Sequence, residues 1–292
     1  MELHQLRYFV TVADKGGFTR AAEACFVSQP SLSQQIIKLE RELGHRLFDR
    51  LGRTVKLTEA GHAAYAHAIS ILRSVDEIED SVIAATDPEK GAITVGAIPT
   101  IAPYLMPALI KRFAKTYPES VISIHEDLTA ETERRCAVGE IDIGIIATPP
   151  ANSALRSQEL FTEEMLLALP ANHRLANKKR IGLEDVAGEP FVLMNELHCL
   201  GEQVVGFCHK QGCLPVVRCV GVQLLTIQQL VALGRGVSLI PAMAAQSDKR
   251  CVYRSLTTPI PQRTIRMIWH KDRYQSQLVR AFLEVLAGCG KL

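Results

Sequence analysis

Eight cysteines stand in this chain of 292 residues, and two of them lie where neighbouring side chains could help them react. Cys199 and Cys208 are nine positions apart, each beside a histidine, as His198-Cys199 and Cys208-His209. Such a set suits three chemistries. Two thiols and two imidazoles can hold a metal, but eight intervening residues do not match the usual spacing of zinc ligands, so no metal and no other cofactor is expected. An ionised thiol can react with an oxidant and pass to a sulfenic acid, which condenses with a nearby thiol. Or both cysteines simply fill a core, the common fate of that residue. Spacing alone leaves the last two open.

The surroundings narrow the compartment. Every apolar run is interrupted well before the roughly 18 residues of a membrane span. Met1-Glu2-Leu3-His4 lacks the basic and then apolar regions of a signal peptide. No membrane partner is expected, and the expected location is the cytoplasm. Reducing conditions there keep thiols free, so the eight cysteines do not form a structural framework. With 47% hydrophobic and 22% charged residues the chain is a folded one rather than a disordered tail, and its length calls for two or three folding units. The net charge of +2 neither proves nor excludes a nucleic-acid partner, but residues 1–58 carry nine Lys/Arg against six Asp/Glu, +3, leaving −1 for the rest.

The elements that must position these residues fall into three parts. In residues 1–58, Leu6, Phe9 and Val10 give a short amphipathic helix ending near Gly16-Gly17. A second helix covers Thr19 to Ala24, and a turn at Phe26-Val27 leads to a third. Ser28 is its N-cap, and Pro30 in the first turn loses no helical bond. Leu32, Ile36, Leu39 and Leu43 form the buried face; Pro30, Ser31, Gln34 and Lys38 face away, with Ser33 on the flank. This is what a helix-turn-helix needs, and Gln29 and Gln34 can offer paired hydrogen bonds to adenine. Phe48 to Thr58, turning at Gly52, reads as a β-hairpin wing on which Arg50, Arg53 and Lys56 suit phosphate contact.

Residues 59–90 then read as a long helix, capped by Thr58 and ended by Asp87-Pro88. Ala64, Ala68, Ile71, Val75, Ile78 and Val82 recur at heptad spacing, so Ala68, Ile71, Val75 and Ile78 are expected to seam two subunits. Residues 91–292 alternate apolar strands with helices. Strands are expected at 92–96, 121–125, 141–146, 165–169, 191–194, 237–241 and 264–269. That is an α/β domain with a mainly parallel sheet, folded as two lobes around a ligand cleft.

The chain resembles the LysR-type transcription regulators along its whole length. The resemblance is carried by Phe18-Thr19-Arg20-Ala21-Ala22, by Val27-Ser28-Gln29-Pro30-Ser31-Leu32-Ser33, and by Leu47-Phe48-Asp49-Arg50. Leu57-Thr58-Glu59-Ala60-Gly61 continues it, with Gly139-Glu140-Ile141-Asp142-Ile143 and Leu233-Gly234-Arg235-Gly236-Val237 in the distal part. It implies an N-terminal winged helix-turn-helix (1–58), a linker and dimerisation helix (59–90) and a two-lobed, periplasmic-binding-protein-like regulatory domain (91–292). It also implies a homodimer or homotetramer on double-stranded promoter DNA, working with RNA polymerase. DNA contact then falls to Gln29, Pro30, Ser31, Ser33, Gln34, Lys38, Arg50 and Arg53.

Within that family three stretches are similar to the peroxide-sensing OxyR members. They are Ile98-Pro99-Thr100 with Pro103-Tyr104-Leu105, His125-Glu126 with Thr129, and His198-Cys199-Leu200 with Gly206-Phe207-Cys208. The similarity implies that hydrogen peroxide is the signal, attacking Cys199, and that Cys208 resolves the product as a disulfide, with antioxidant genes as the output. Thr100 and Thr129 would hydrogen-bond the peroxide, and His198 and Arg266, or Arg263 near it, would favour the thiolate. Nine residues on a helix span about 13.5 Å, whereas a disulfide needs Cα atoms within about 7 Å, so a helical segment here must unwind to close the bond. Cys213 lies close enough to Cys208 to compete. Cys25, Cys136, Cys219, Cys251 and Cys289 default to packing. Two other readings stand beside this one: a regulator that binds a small metabolite in its cleft, and a thiol peroxidase. A catalyst has no need of a DNA-binding module, so no enzyme is expected.

Overall fold

In the computed structural model all residues are described except 52–53, 87–90, 179, 196, 213–214, 246–248 and 292. Arg53 and Cys213 therefore lie outside the described residues, as does the expected helix stop at Asp87-Pro88, and of Arg50 only the backbone is described. The chain divides into two compact units, one carrying residues 1–86 and the other nearly all of the rest.

The first unit opens with α1 (Leu3–Lys15), α2 (Phe18–Ala24) and α3 (Gln29–Leu43). Leu6, Phe9 and Val12 of α1 meet Ala21 and Ala22 of α2 and Leu32, Ile36 and Leu39 of α3 in one core. The Ser28 hydroxyl accepts from the Ser31 N–H at 3.4 Å, closing the N-terminus of α3. Leu43 is a correction to the sequence reading: as the last residue of α3 it falls past the edge of the core and is exposed. The wing is β1 (Phe48–Leu51) against β2 (Thr54–Leu57), antiparallel with Phe48 opposite Leu57. Glu40 Oε1 accepts from the N–H groups of Leu47 and Phe48, and Phe48 packs on Phe9 and Phe18, so the wing is tied to α3 and to the core of the unit.

Thr58 caps α4 (Glu59–Thr86), accepting from the Gly61 N–H at 3.0 Å. A side chain at Gly61 would stand 2.1 Å from the Leu47 carbonyl, which explains the glycine. Ala68 corrects the expected seam: with Ala64, Tyr65 and Leu72 it is packed into the core of its own unit. Ile71, Ile78 and Val82 are exposed and Val75 is half-buried, so an apolar stripe does run along the rest of the helix.

The second unit has two hydrophobic cores joined by two long strands. Around the first core lie β3 (Ala92–Ala97), α5 (Ala102–Phe113), β4 (Val121–Glu126), α6 (Thr129–Val138), β5 (Ile143–Ile146) and α9 (Gln277–Ala287). Around the second lie β7 (Pro190–Met194), α7 (Cys199–Lys210), β8 (Val216–Gly221), α8 (Leu224–Ala232), β9 (Ser238–Pro241) and β10 (Cys251–Arg254). The chain leaves the first lobe along β6 (Leu155–Pro170) and returns along β11 (Gln262–His270). Among the described residues seven strands form one sheet, ordered β10-β6-β11-β5-β3-β4 with β9 also on β6.

The expected mainly parallel sheet is not what forms. The pairs β3–β4, β3–β5 and β7–β8 are parallel, but β6 runs antiparallel to β11, β9 and β10, and β11 antiparallel to β5. An outgoing and a returning strand between two lobes must run in opposite directions, and that geometry dominates the shared sheet.

Candidate functional site: Cys199 between two lobes

Helix α7 is built to lie on the second lobe. Leu200, Val204 and Cys208 recur every fourth residue and are buried; the first two belong to the core of that lobe. Cys199, the first residue of the helix, points elsewhere. It is half-buried and packs against the core of the first lobe. Tyr104, on α5 of the first lobe, packs the other way, against the core of the second. The sulfur of Cys199 thus sits at the junction of the lobes.

The junction is polar and charged. The Arg263 guanidinium is fully buried; its Nε donates to Glu163 Oε1 at 2.8 Å, its Nη1 to the Thr100 hydroxyl at 2.9 Å and its Nη2 to the Thr100 carbonyl at 3.1 Å. The second oxygen of Glu163 accepts from the Met243 N–H at 2.9 Å. The carboxylate neutralises the guanidinium and makes its burial tolerable. Arg266 is a correction: it pairs with the exposed Glu159 instead. Along β11 the buried side chains include 263, 265 and 267 while 266 alternates away, so Arg263 and not Arg266 serves this site.

Burial pushes the Cys199 thiol above its ordinary pKa. The Thr129 side chain, the Arg263 charge and the Leu200 N–H pull it back without winning, and Glu202 adds to the rise. The neighbours expected to favour the thiolate are thus outweighed by burial, although the Thr129 side chain and the Arg263 charge both act on the sulfur in the direction of an anion. His198 is the N-cap of α7 but gives it no side-chain bond, and burial lowers its pKa, favouring the neutral imidazole. It does not supply the positive charge that the sequence suggested.

Three buried side-chain atoms have no hydrogen-bond partner among the described residues: Oε1 of Glu164, the Thr129 hydroxyl, whose side chain acts on Cys199, and Oε1 of Gln203 on α7. Gln203 lies one turn beyond Cys199 on the same face of α7, and its Nε2 donates to the Ala147 carbonyl of the first lobe at 2.8 Å. Sequence reasoning missed it, although the four-residue spacing from Cys199 was a usable signal. A hydroxyl donor and an amide acceptor beside a thiol suit a small molecule that both gives and takes hydrogen bonds.

Cys199 and Cys208 are not joined by a disulfide and stand towards opposite ends of an unbroken helix, so their Cα atoms are separated by about 13.5 Å along its axis. No group of three or more His, Cys, Asp or Glu among the described residues could hold a metal. No helix is long and apolar enough to cross a membrane among the described residues.

In the first unit the predicted readers of DNA on α3 are open to solvent, while the Arg50 side chain and Arg53 lie outside the described residues. Gln29, Pro30, Ser31, Gln34 and Lys38 are exposed, and Ser33 is half-buried on the flank.

Comparison with known proteins agrees with both units. Residues 3–62 match the family described as bacterial regulatory helix-turn-helix protein, lysR family, and residues 86–289 match the LysR substrate binding domain. The chain is 33% identical over 294 residues to the DNA-binding transcriptional dual regulator OxyR of Escherichia coli K12, covering 97% of this chain and 96% of the relative. It is 35% identical over 274 residues to a probable hydrogen peroxide-inducible genes activator of Mycobacterium avium, covering 91% and 87%. Among solved structures, a full-length OxyR from Pseudomonas aeruginosa (a cysteine-to-aspartate variant) superposes with a TM-score of 0.76 at 33% identity, over 100% of this chain and 98% of that one. Full-length CbnR in complex with its target DNA gives 0.74 at 25% identity, over 98% and 99%.

Proposed function

The chain belongs to the LysR family of DNA-binding transcription regulators, and from that premise we propose that it senses hydrogen peroxide at Cys199 and answers by closing a Cys199–Cys208 disulfide. Its relatives are regulators, not enzymes. The observation that carries the peroxide reading is the unsatisfied buried Thr129 hydroxyl beside a thiol on which the Arg263 charge acts, with the unsatisfied Gln203 Oε1 one turn further along α7.

In this reading peroxide donates one O–H to Gln203 Oε1 and accepts from the Thr129 hydroxyl. Cys199 loses its proton and attacks one peroxide oxygen. The O–O bond breaks, and the departing hydroxide takes up that proton and leaves as water. Arg263 stabilises the negative charge as it passes from sulfur to oxygen. Cys199 is now a sulfenic acid. The Cys208 sulfur attacks it, the S–O bond breaks, and a second water leaves with the Cys208 proton. The bond forms only after α7 unwinds, which couples two electrons of oxidation to a local refolding.

The same reading gives residues 1–58 to DNA, 59–90 to subunit pairing through Ile71, Val75 and Ile78, and 91–292 to sensing. Partners are promoter DNA, further copies of the chain in a homodimer or homotetramer, and RNA polymerase, all met in the cytoplasm. The test is a footprint on promoter DNA before and after peroxide, with mass spectrometry mapping the cysteine pairs. The wild type should change its footprint and gain a Cys199–Cys208 bond, and Cys199→Ser should do neither. A footprint that still responds to peroxide in Cys199→Ser sinks the thiol switch and leaves a metabolite-binding regulator as the better account.

A further inference from the structure

Helix α2 ends in a way that its neighbours do not. The Phe26 N–H donates to the Glu23 carbonyl at 3.2 Å and the Val27 N–H to the Ala22 carbonyl at 3.0 Å. Together they form a Schellman closure, with Phe26 as the residue that must turn left-handed. Its φ is +55°. At the ends of α1 and α3 the same unit uses Gly16 (φ +62°) and Gly44 (φ +73°), where the missing Cβ removes the strain. A bulky aromatic in that conformation is disfavoured.

Its own fold gives Phe26 nothing in return. The residue is 96% exposed, the most exposed of the large apolar residues in the described chain, whereas Val27 beside it packs into the core. A lone exposed apolar side chain needs no explanation. One that is also held in a strained conformation, in the turn that leads into the exposed Ser28, Gln29, Pro30 and Ser31, does need one.

We propose that Phe26 is a DNA-contact residue, its ring packing on an apolar part of the duplex at the edge of the groove that α3 enters. Two apolar groups are available there, the thymine 5-methyl and the face of a deoxyribose. The inference rests on DNA binding through α3 and adds to it a contact outside the polar set.

The full-length reduced protein is tested on a duplex that the wild type selects from a randomised pool. Phe26→Asn removes the ring and places a residue that tolerates the left-handed turn, so the DNA-binding unit should melt no lower than the wild type while affinity falls about tenfold, the loss expected for one buried ring face. Phe26→Tyr should bind like the wild type. Replacing thymine by uracil in the duplex weakens wild-type binding if the methyl is the partner, and leaves it intact with Phe26→Asn still weak if the sugar is. Affinity of Phe26→Asn equal to wild type overturns the proposal. Gln29→Ala is the control: if it too binds like the wild type, the reading of α3 itself is at fault, whereas if only Phe26→Asn does, Phe26 alone is wrong.

Discussion

Helices α3 and α7 are of similar length, 15 and 12 residues, and are held together by different means. Helix α3 carries its own instructions: the Ser28 hydroxyl and Pro30 at the start, no internal glycine, and left-handed Gly44 at the end. Helix α7 shares only the last of these: left-handed Gly212 (φ +70°) follows Gln211 and donates to the His209 carbonyl at 3.0 Å. At its start His198 gives no side-chain cap, and Gly201 and Gly206 lie within it. Two glycines cost about 2 kcal/mol of helix propensity relative to alanine. What keeps α7 formed is the burial of Leu200, Val204 and Cys208. A reader of DNA should keep one shape, and a switch should have a helix that tertiary packing can hold and chemistry can release. The difference in local signals at the helix starts and interiors fits the roles proposed for α3 and α7.

If packing rather than propensity holds α7, the largest effect comes from removing packing. Leu200 is fully buried in the second core. Leu200→Ala should cost about 3 kcal/mol, and amide hydrogen exchange should place most of that loss in α7. The variant should also form the disulfide sooner after peroxide addition, because the unwound state is then closer in energy. Unchanged exchange in α7 would show that the helix stands on its own, and the contrast with α3 would collapse.

The two glycines sharpen the point because they are unalike. At Gly201 a Cβ would come within 2.7 Å of the Met194 carbonyl and 2.9 Å of the Asn195 carbonyl, so packing demands glycine there. At Gly206 a Cβ would meet nothing within 4 Å. Space does not require that glycine, and its effect is to weaken the helix. Gly206→Ala should stabilise α7 by about 1 kcal/mol and slow disulfide formation roughly fivefold, read by trapping free thiols at intervals after peroxide. A variant that closes the bond as fast as the wild type would mean that unwinding of α7 does not limit the reaction.

How much of this could be read in the sequence follows the same local-against-tertiary line. Ser28, Pro30, Gly16 and the Leu32-Ile36-Leu39 spacing are local signals, and they located the first unit almost residue by residue. The half of β6 from Leu155 to Glu164 was missed because it is mostly polar and exposed, with no apolar alternation to mark it. The antiparallel pairing of β6 with β11 was missed because register across 100 residues leaves no local trace. At the junction, Cys199, Thr100 and Thr129 were named from the family pattern, which also pointed to Cys208, although that residue lies towards the far end of α7. The exchange of Arg266 for Arg263 was not, since only the fold shows which of two arginines on one strand faces inward. Ala68 shows the same limit: heptad spacing finds a stripe but does not say which part of it the chain's own core has already covered.

The smallest effect on stability should come from the exposed face of α3, where reading and folding separate. Lys38 is exposed on α3, and under the proposed DNA reading it meets phosphate rather than a base. Lys38→Ala should change stability by no more than about 0.5 kcal/mol. It should weaken binding to all duplexes alike and flatten the slope of log affinity against log salt by about 0.9, the share of one phosphate contact. The loss should be the same for reduced and peroxide-treated protein, because α3 is the helix that does not refold. A loss that differs between the two redox states would mean that the switch reaches the DNA-reading surface itself, and the two helices would then have to be treated as one coupled device.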